Sequence, residues 1–423
     1  MKALAGKHVV LIVENEAVPF DRRMWNISRS LRDVGATVSV ICPAYGQDNE
    51  RAVIREGISI HRYTNTFADG SVSGYLREYA IAFVKTTVIL HKLLLRSPRV
   101  DIVHVANPPD IFWPLAIYLK ILGIQFIFDE HDLAPETYLS RFDRAERAGG
   151  ILYTVQKWFQ ALSYRFSDGI ISTNESYRAN ALAVDPGHAE KTFVVRNGPD
   201  TRHFSRRPVN PDLKKGHKYL AAYIGVMGGQ DGVEYIIRAM DELVNRRHYR
   251  DLVAYLIGGG DDWDRLKKLT TDLRLEDHVE LTGRIPDDTA LEILSTADVC
   301  LSPDPSNPLN DVSTMTKVME YMTLGKPIVS FDLKETRYSA GASALYVTNN
   351  DATAFADGIL RLLRDPEEAR RMSDVGVARV ESFLSWQRQS LNLLDAYEYV
   401  LSRKAANVMP EAEVRTTSSP RAV

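Results

Sequence analysis

The feature that most constrains this chain is a recurrent alternation of short Val- and Ile-rich runs with longer amphipathic stretches. In the first half the runs are HVVLIV, TVSVIC, ISIHRY, DIVHVA, FIFDEH, GIISTN and TFVVRN. Runs so short and so apolar suit strands buried on both faces, as in a parallel sheet. Between several of them lie RRMWNISRSLRDVG and PLAIYLKILG, helical in period and closed by glycine. The second half restarts the pattern with KYLAAYIG, LVAYLIGG, VELTG, VCLSP, PIVSFD and ALYVT, interleaved with VEYIIRAMDELVNRR and TALEILSTAD. The alternation predicts the α/β class, with mostly parallel sheets covered by helices. Its restart predicts two such units in series, broken near Asn197-Gly198-Pro199-Asp200 and the polar segment RRPVNPDLKKGHK.

A chain of 423 residues can bury two cores of ordinary size. Its net charge of −3 gives no reason to expect nucleic acid. Cys42 and Cys300 both sit in apolar, strand-like runs, which suits a reducing compartment better than a disulfide framework. The first apolar run is cut short by Glu14 and Glu16, unlike a signal peptide. No apolar stretch approaches the roughly twenty residues of a membrane span. A cytoplasmic protein is expected. SWQRQSLNLLDAYEYVL reads as a helix, and the aperiodic stretch after about Arg403 as disordered.

In parallel sheets ligands bind beyond the carboxyl ends of the strands, so the loops there carry the chemistry. KYLAAYIG ends at Gly225 and runs through Val226, Met227, Gly228 and Gly229 to Asp231-Gly232 and a helix. Glycines there let backbone N–H groups approach an anion, helped by the helix dipole; a tight strand-to-helix turn explains them as well. The spacing fits neither a dinucleotide fingerprint nor a phosphate-binding loop with its lysine. Gly258-Gly259-Gly260 forms a second glycine turn.

The stretch Asp311 to Asp332, DVSTMTKVMEYMTLGKPIVSFD, carries the sharper signal. Asp311 or Ser313 is expected to cap a helix and leave the Ser313 and Thr314 amides open to phosphate or sugar oxygens. Lys317 and Glu320 follow on one face. At about 1.5 Å per residue, Ser313 to Glu320 spans roughly 10 Å, near the reach from a diphosphate to a ribose. A solvated helix face is the competing reading.

Phe128-Asp129-Glu130-His131-Asp132 closes a buried strand with four polar residues, which points to a site. Alternating side-chain directions argue against a metal there. Asp21-Arg22-Arg23 opens a helix after the first strand, suiting either an acceptor phosphate or plain solvation. The stretches Tyr75–Arg99 and Gly150–Phe166 mix large apolar residues with cations, and read as domain-covering helices or, less simply, as membrane-surface helices.

NPPD (Asn107 to Asp110), FDEHDLAPE, RNGPD, VMGGQDGVEY, LTGRIPDD and EYMTLGKPIV, in that order, resemble the GT-B glycosyltransferases, specifically the large retaining family four. The resemblance spans nearly the whole chain. It implies two Rossmann-like domains facing a cleft: 1–200 on the acceptor side and 201–384 holding the donor. A crossing helix at 385–403 returns to the first domain, ahead of a disordered tail at 404–423. It implies Glu320 on the ribose, Lys317 on the diphosphate, and Arg284 and Ile285 beside the base. His131 and Asp311 would lie at the transferred sugar, and Asp21, Arg22, Arg23 and Asp129 on the acceptor side. Gly225, Met227, Gly228, Gly229, Gly258, Ser313 and Thr314 complete the donor set. No metal and no cofactor are expected, since cations and amides stabilise the leaving diphosphate.

The chain also departs from the family. Val312 stands where many relatives keep a glutamate, with Asp311 or Asn310 as substitutes. Val226 and Asp231 stand where many have Arg and Lys, leaving Lys317, amides, and Arg284 or Arg337 for the diphosphate. Glu14 to Phe20 replaces a usual glycine pair. The resemblance implies a retaining, hexosyltransferase-type enzyme of bacterial surface-polysaccharide type. Its acceptor would be a saccharide, lipid-linked and presented at the inner membrane face by a peripheral protein. A weakly catalytic subunit binding nucleotide or a partner enzyme, and a nucleotide-sugar epimerase, are the alternatives.

Overall fold

The computed structural model describes residues 3–44, 50–65, 72–96, 99–141 and 150–408. The first sheet is built from β1 (His8–Ile12), β2 (Thr37–Pro43), β3 (Ala52–Arg55), β4 (Ile58–Tyr63), β5 (Val100–Ala106), β6 (Gln125–Glu130), β7 (Gly169–Ser172) and β8 (Thr192–Val194). Their order is β3-β4-β2-β1-β5-β6-β7-β8, and every pair is parallel except the β3–β4 edge hairpin. The second sheet uses β9 (Tyr219–Ile224), β10 (Leu252–Ile257), β11 (Val279–Gly283), β12 (Val299–Ser302), β13 (Ile328–Phe331) and β14 (Ala344–Val347). Its order is β11-β10-β9-β12-β13-β14, parallel throughout.

Strand β3 is the strand missing from the sequence reading. Its segment AVIR is too short and too exposed to stand out, and it pairs only at the sheet edge. The central strands β1, β9 and β10 are buried along almost their whole length, as their unbroken apolar runs require. Both cysteines are buried and unpaired.

The helices covering the first sheet are α1 (Arg22–Asp33), α2 (Val72–Leu94), α3 (Trp113–Ile121), α4 (Ala134–Arg141), α5 (Ile151–Phe166) and α6 (Glu175–Val184). Those of the second are α7 (Val233–Asp241), α8 (Trp263–Asp272), α9 (Asp287–Thr296), α10 (Thr316–Thr323), α11 (Lys334–Ala340), α12 (Ala352–Arg364) and α13 (Pro366–Arg379). The last helix, α14 (Trp386–Val408), leaves the second unit and packs Leu393, Ala396, Tyr397 and Val400 into the core of the first sheet. Its start is pinned to the connecting segment: the Trp386 N–H donates to Pro199 O at 2.9 Å. A Cβ on Gly198 would lie 1.9 Å from Leu384 O, so this crossing admits glycine alone.

Helix α14 also corrects the expected tail. Lys404 to Val408 continue the helix, because Lys and Ala extend one at little cost. The rest of the expected disordered tail lies outside the described residues. Among the described residues no helix is long and apolar enough to cross a membrane.

Candidate active site

The carboxyl ends of both sheets face one cleft, and the polar loops follow directly from them. From β6, Asp129 projects into the interior with no exposed surface and gathers four donors. The Arg23 guanidinium binds it in a fork, Nη2 to Oδ1 at 2.7 Å and Nε to Oδ2 at 3.0 Å. His131 Nε2 lies 3.0 Å and His104 Nε2 3.2 Å from Oδ2. Burial alone would push the Asp129 carboxyl up; Arg23, His131 and His104 outweigh it and hold it well below the usual carboxylate range. Burial pushes the His104 ring down, keeping it neutral. Asp129 only accepts, so His104 carries its proton on Nε2 and its Nδ1 accepts from Tyr397 O–H at 2.7 Å. The crossing helix α14 is thereby joined to His131 through three hydrogen bonds in series.

This network corrects three acceptor-side expectations. Arg23 is buried and also donates to Val195 O and Asn197 Oδ1, so it cannot meet an acceptor phosphate. Asp129 positions His131 rather than touching an acceptor. Asp21 caps α1, accepting the Met24 N–H at 2.9 Å. Arg22 alone of that group reaches the cleft, where it bridges Glu320 Oε1 (3.2 Å) and Asp287 Oδ1 (2.9 Å) on the second unit. His131 is fixed through its backbone, whose N–H donates to Asn107 Oδ1 at 2.6 Å.

On the second unit, α10 begins at Thr316 and not at Asp311. Residues Asn310–Val312 form a separate 3-10 turn, and Asp311 accepts from Ser306 Oγ instead of capping the helix. The Ser313 N–H is already bonded to Asn310 O. Ser313 Oγ accepts from Tyr177 O–H at 3.2 Å, and Thr314 Oγ1 accepts from Asn174 Nδ2 at 3.0 Å. The side-chain hydroxyls of these two residues therefore stitch the second unit to the start of α6, and of the two amides expected to be open that of Ser313 is already taken. Arg196 and Glu335 reinforce the same seam with a buried ion pair at 3.1 Å.

Lys317 and Glu320 do lie together on α10. Lys317 Nζ sits 2.5 Å from Asp304 Oδ1 and 4.9 Å from the centre of the Tyr223 ring. Burial raises the Glu320 carboxyl and Arg22 pulls it back. The glycine turns frame this pair. Gly258 has φ +134, and a Cβ there would lie 1.8 Å from Gly225 O. Gly258→Ala should therefore displace the loop after β9 and lower thermal stability, as thermal melts of the two proteins would read.

Two further loop expectations are corrected. The Gly228 N–H is taken by Asp231 Oδ2 at 3.0 Å, and the Met227 N–H by Gly259 O, so neither amide is open to an anion. The Gly229 position is unobstructed. Arg284 stands over Phe20 at 5.8 Å, Ile285 packs on the core of the second unit, and Arg337 is tied to Asp332.

Two residues escaped the sequence reading. Asp304, beyond the end of β12, is buried with Lys317 on one oxygen and Ser302 Oγ on the other. Glu16, an exposed residue beyond β1, is pushed up to about 6 by desolvation from the surrounding protein and by Asp21, against the pull of Arg284 and His131. Their positions just past strand ends were the available signal. Among the described residues no group of His, Cys, Asp and Glu could hold a metal ion.

Two family profiles match the chain in order: "Glycosyl transferase 4-like domain" over residues 21–198 and "Glycosyl transferases group 1" over residues 218–365. The chain belongs to the group 1 glycosyltransferases. This glycosyltransferase is 25% identical over 305 residues to the alpha-maltose-1-phosphate synthase of Mycolicibacterium smegmatis, covering 66% of this chain and 74% of that one. It is 29% identical over 276 residues to the alpha-D-kanosaminyltransferase of Streptomyces kanamyceticus, covering 62% and 67%. Sucrose-phosphate synthase from Thermosynechococcus elongatus shares its GT-B fold with a TM-score of 0.74 at 17% identity, covering 94% and 100%. Anabaena HepE in complex with UDP-glucose gives 0.69 at 16%, covering 92% and 99%.

Proposed function

We propose that this group 1 glycosyltransferase moves a sugar, with retention, from a nucleoside diphosphate sugar to a saccharide acceptor that is lipid-linked, in polysaccharide or glycoconjugate synthesis. The observation that carries the reading is the Lys317–Glu320 pair, held on one face of α10 with Glu320 meeting Arg22 across the cleft. Lys317 keeps two of its three ammonium donors for a diphosphate after serving Asp304. Glu320 offers its carboxylate to the ribose hydroxyls once Arg22 yields. Arg284 and Ile285 stand at the base, and His131 at the transferred sugar. In this reading the departing phosphate takes the acceptor's proton, so the chain supplies electrostatic stabilisation and no nucleophile. The UDP and UDP-glucose complexes of HepE support a nucleotide-sugar donor.

Thermal melts with UDP, GDP, dTDP and ADP test this. One nucleotide should stand out, since a ligand at 100 times its Kd adds about 2.7 kcal/mol of stability. Glu320→Ala should weaken that nucleotide by about 10- to 100-fold, the worth of a charged hydrogen bond. A flat response to all four overturns the donor reading. Tight binding without transfer would favour a nucleotide-binding subunit instead.

A further inference from the structure

The donor site leaves unused a cavity of about 540 Å³ enclosed by α2, α3, α4 and α5. Tyr79, Phe83, Trp113, Val155 and Phe159 give it walls that are almost wholly apolar. The volume falls inside the range of roughly 300–1,000 Å³ usual for small-molecule sites.

Its two ends differ. The inner end is Pro108-Pro109-Asp110. Asp110 is buried; Oδ1 accepts from Asn107 Nδ2 at 2.8 Å, while Oδ2 has no hydrogen-bond partner. Burial pushes this carboxyl up to about 7, so near neutral pH much of it carries no charge to repel an apolar guest. The same Asn107 holds the His131 N–H, so one side chain separates the cavity from the position assigned to the acceptor.

The outer end opens onto exposed apolar surface. Leu76, Val84 and Val88 recur at multiples of four along α2 and share a face, Leu76 being 62% exposed. Ile151 and Trp158 of α5 are 86% and 60% exposed. Exposed apolar side chains on the two helices that line the cavity suit a contact surface. Cations interleave with it: Arg77, Lys85 and Lys92 on α2, Lys120 on α3, Lys157 and Arg165 on α5. Against these six the three helices carry one acid, Glu78, and α4 adds Glu136, which pairs with Lys157 at 2.7 Å. That balance suits an anionic, lipid-bearing surface.

We infer that the cavity seats the hydrocarbon chain of the lipid-linked acceptor. The chain runs outward from the Asn107–Asp110 end, beside His131, to the apolar face of α2 and α5. This rests on the reading that the acceptor carries a lipid and is taken beside His131.

The test uses the full chain and farnesyl phosphate below its micellar concentration, with isopentenyl phosphate as the short-chain control, read by Trp113 fluorescence and calorimetry. Farnesyl phosphate should bind saturably, one per chain, at least tenfold tighter than the control. Ala80→Trp and, separately, Val155→Trp should fill the cavity and weaken it at least tenfold, with the UDP-dependent melting shift unchanged. Equal binding by filled and unfilled proteins, or no saturable binding, overturns the inference. So does binding to phosphatidylglycerol vesicles that cavity filling leaves intact and Lys92→Glu with Lys120→Glu abolishes, the mark of a headgroup surface alone. Loss of the nucleotide shift with farnesyl binding intact would sink the donor reading and leave this one standing.

Discussion

Lys317→Ala should lower kcat/KM for sugar transfer by about 10²–10³-fold, the usual cost of removing one group that stabilises charge developing in a transition state. The same substitution strips Asp304 of its cation. A buried carboxylate left alone costs about 3–5 kcal/mol, so the variant should also melt earlier. A second substitution separates the two effects. With Asp304→Asn added, no uncompensated charge remains; the melting temperature should recover most of its loss while the rate stays low. Recovery of both would reduce Lys317 to the partner of Asp304, and an unchanged rate in the single variant would remove it from the donor site altogether.

Asp129→Ala should cost about 3–5 kcal/mol of stability, because it leaves the buried Arg23 guanidinium without its fork. The sign of the pH dependence follows from the carboxyl being held well below its ordinary value. Its contribution is fully present above the unfolded value of about 3.9 and is lost only as pH falls through the lower folded value. The gap between wild type and variant in urea midpoint should therefore be flat from about pH 5 to 8 and narrow in acid. A gap that opened only above neutrality would contradict this assignment. His131 would lose its anchor as well, so transfer should fall in any protein that remains folded.

The arginine pair at the start of α1 shows where reading by sequence stops. Arg22 and Arg23 are adjacent and chemically identical, and both suited an anion. One turns inward to Asp129, 106 residues away, and the other outward to Glu320, 298 residues away. Ser313 and Thr314 make the same point: small hydroxyls before a helix suggest an anion site, yet Tyr177 and Asn174 of the other unit already use them. Asp304 gave no motif at all; it matters because folding lays it against Lys317, thirteen residues on.

By itself the sequence determined what depends on local pattern. Apolar runs too short for helices had to be buried strands, the restart of the pattern had to make a second sheet, and a one-turn spacing had to put Lys317 and Glu320 on the same helix face. The tertiary structure alone decided which polar groups stay open to a ligand and which are consumed in holding the two units together. The physical reason is that a donor or charge is free only until packing brings it a partner, and the partners that join the two units lie a hundred or more residues apart, where no local pattern records them.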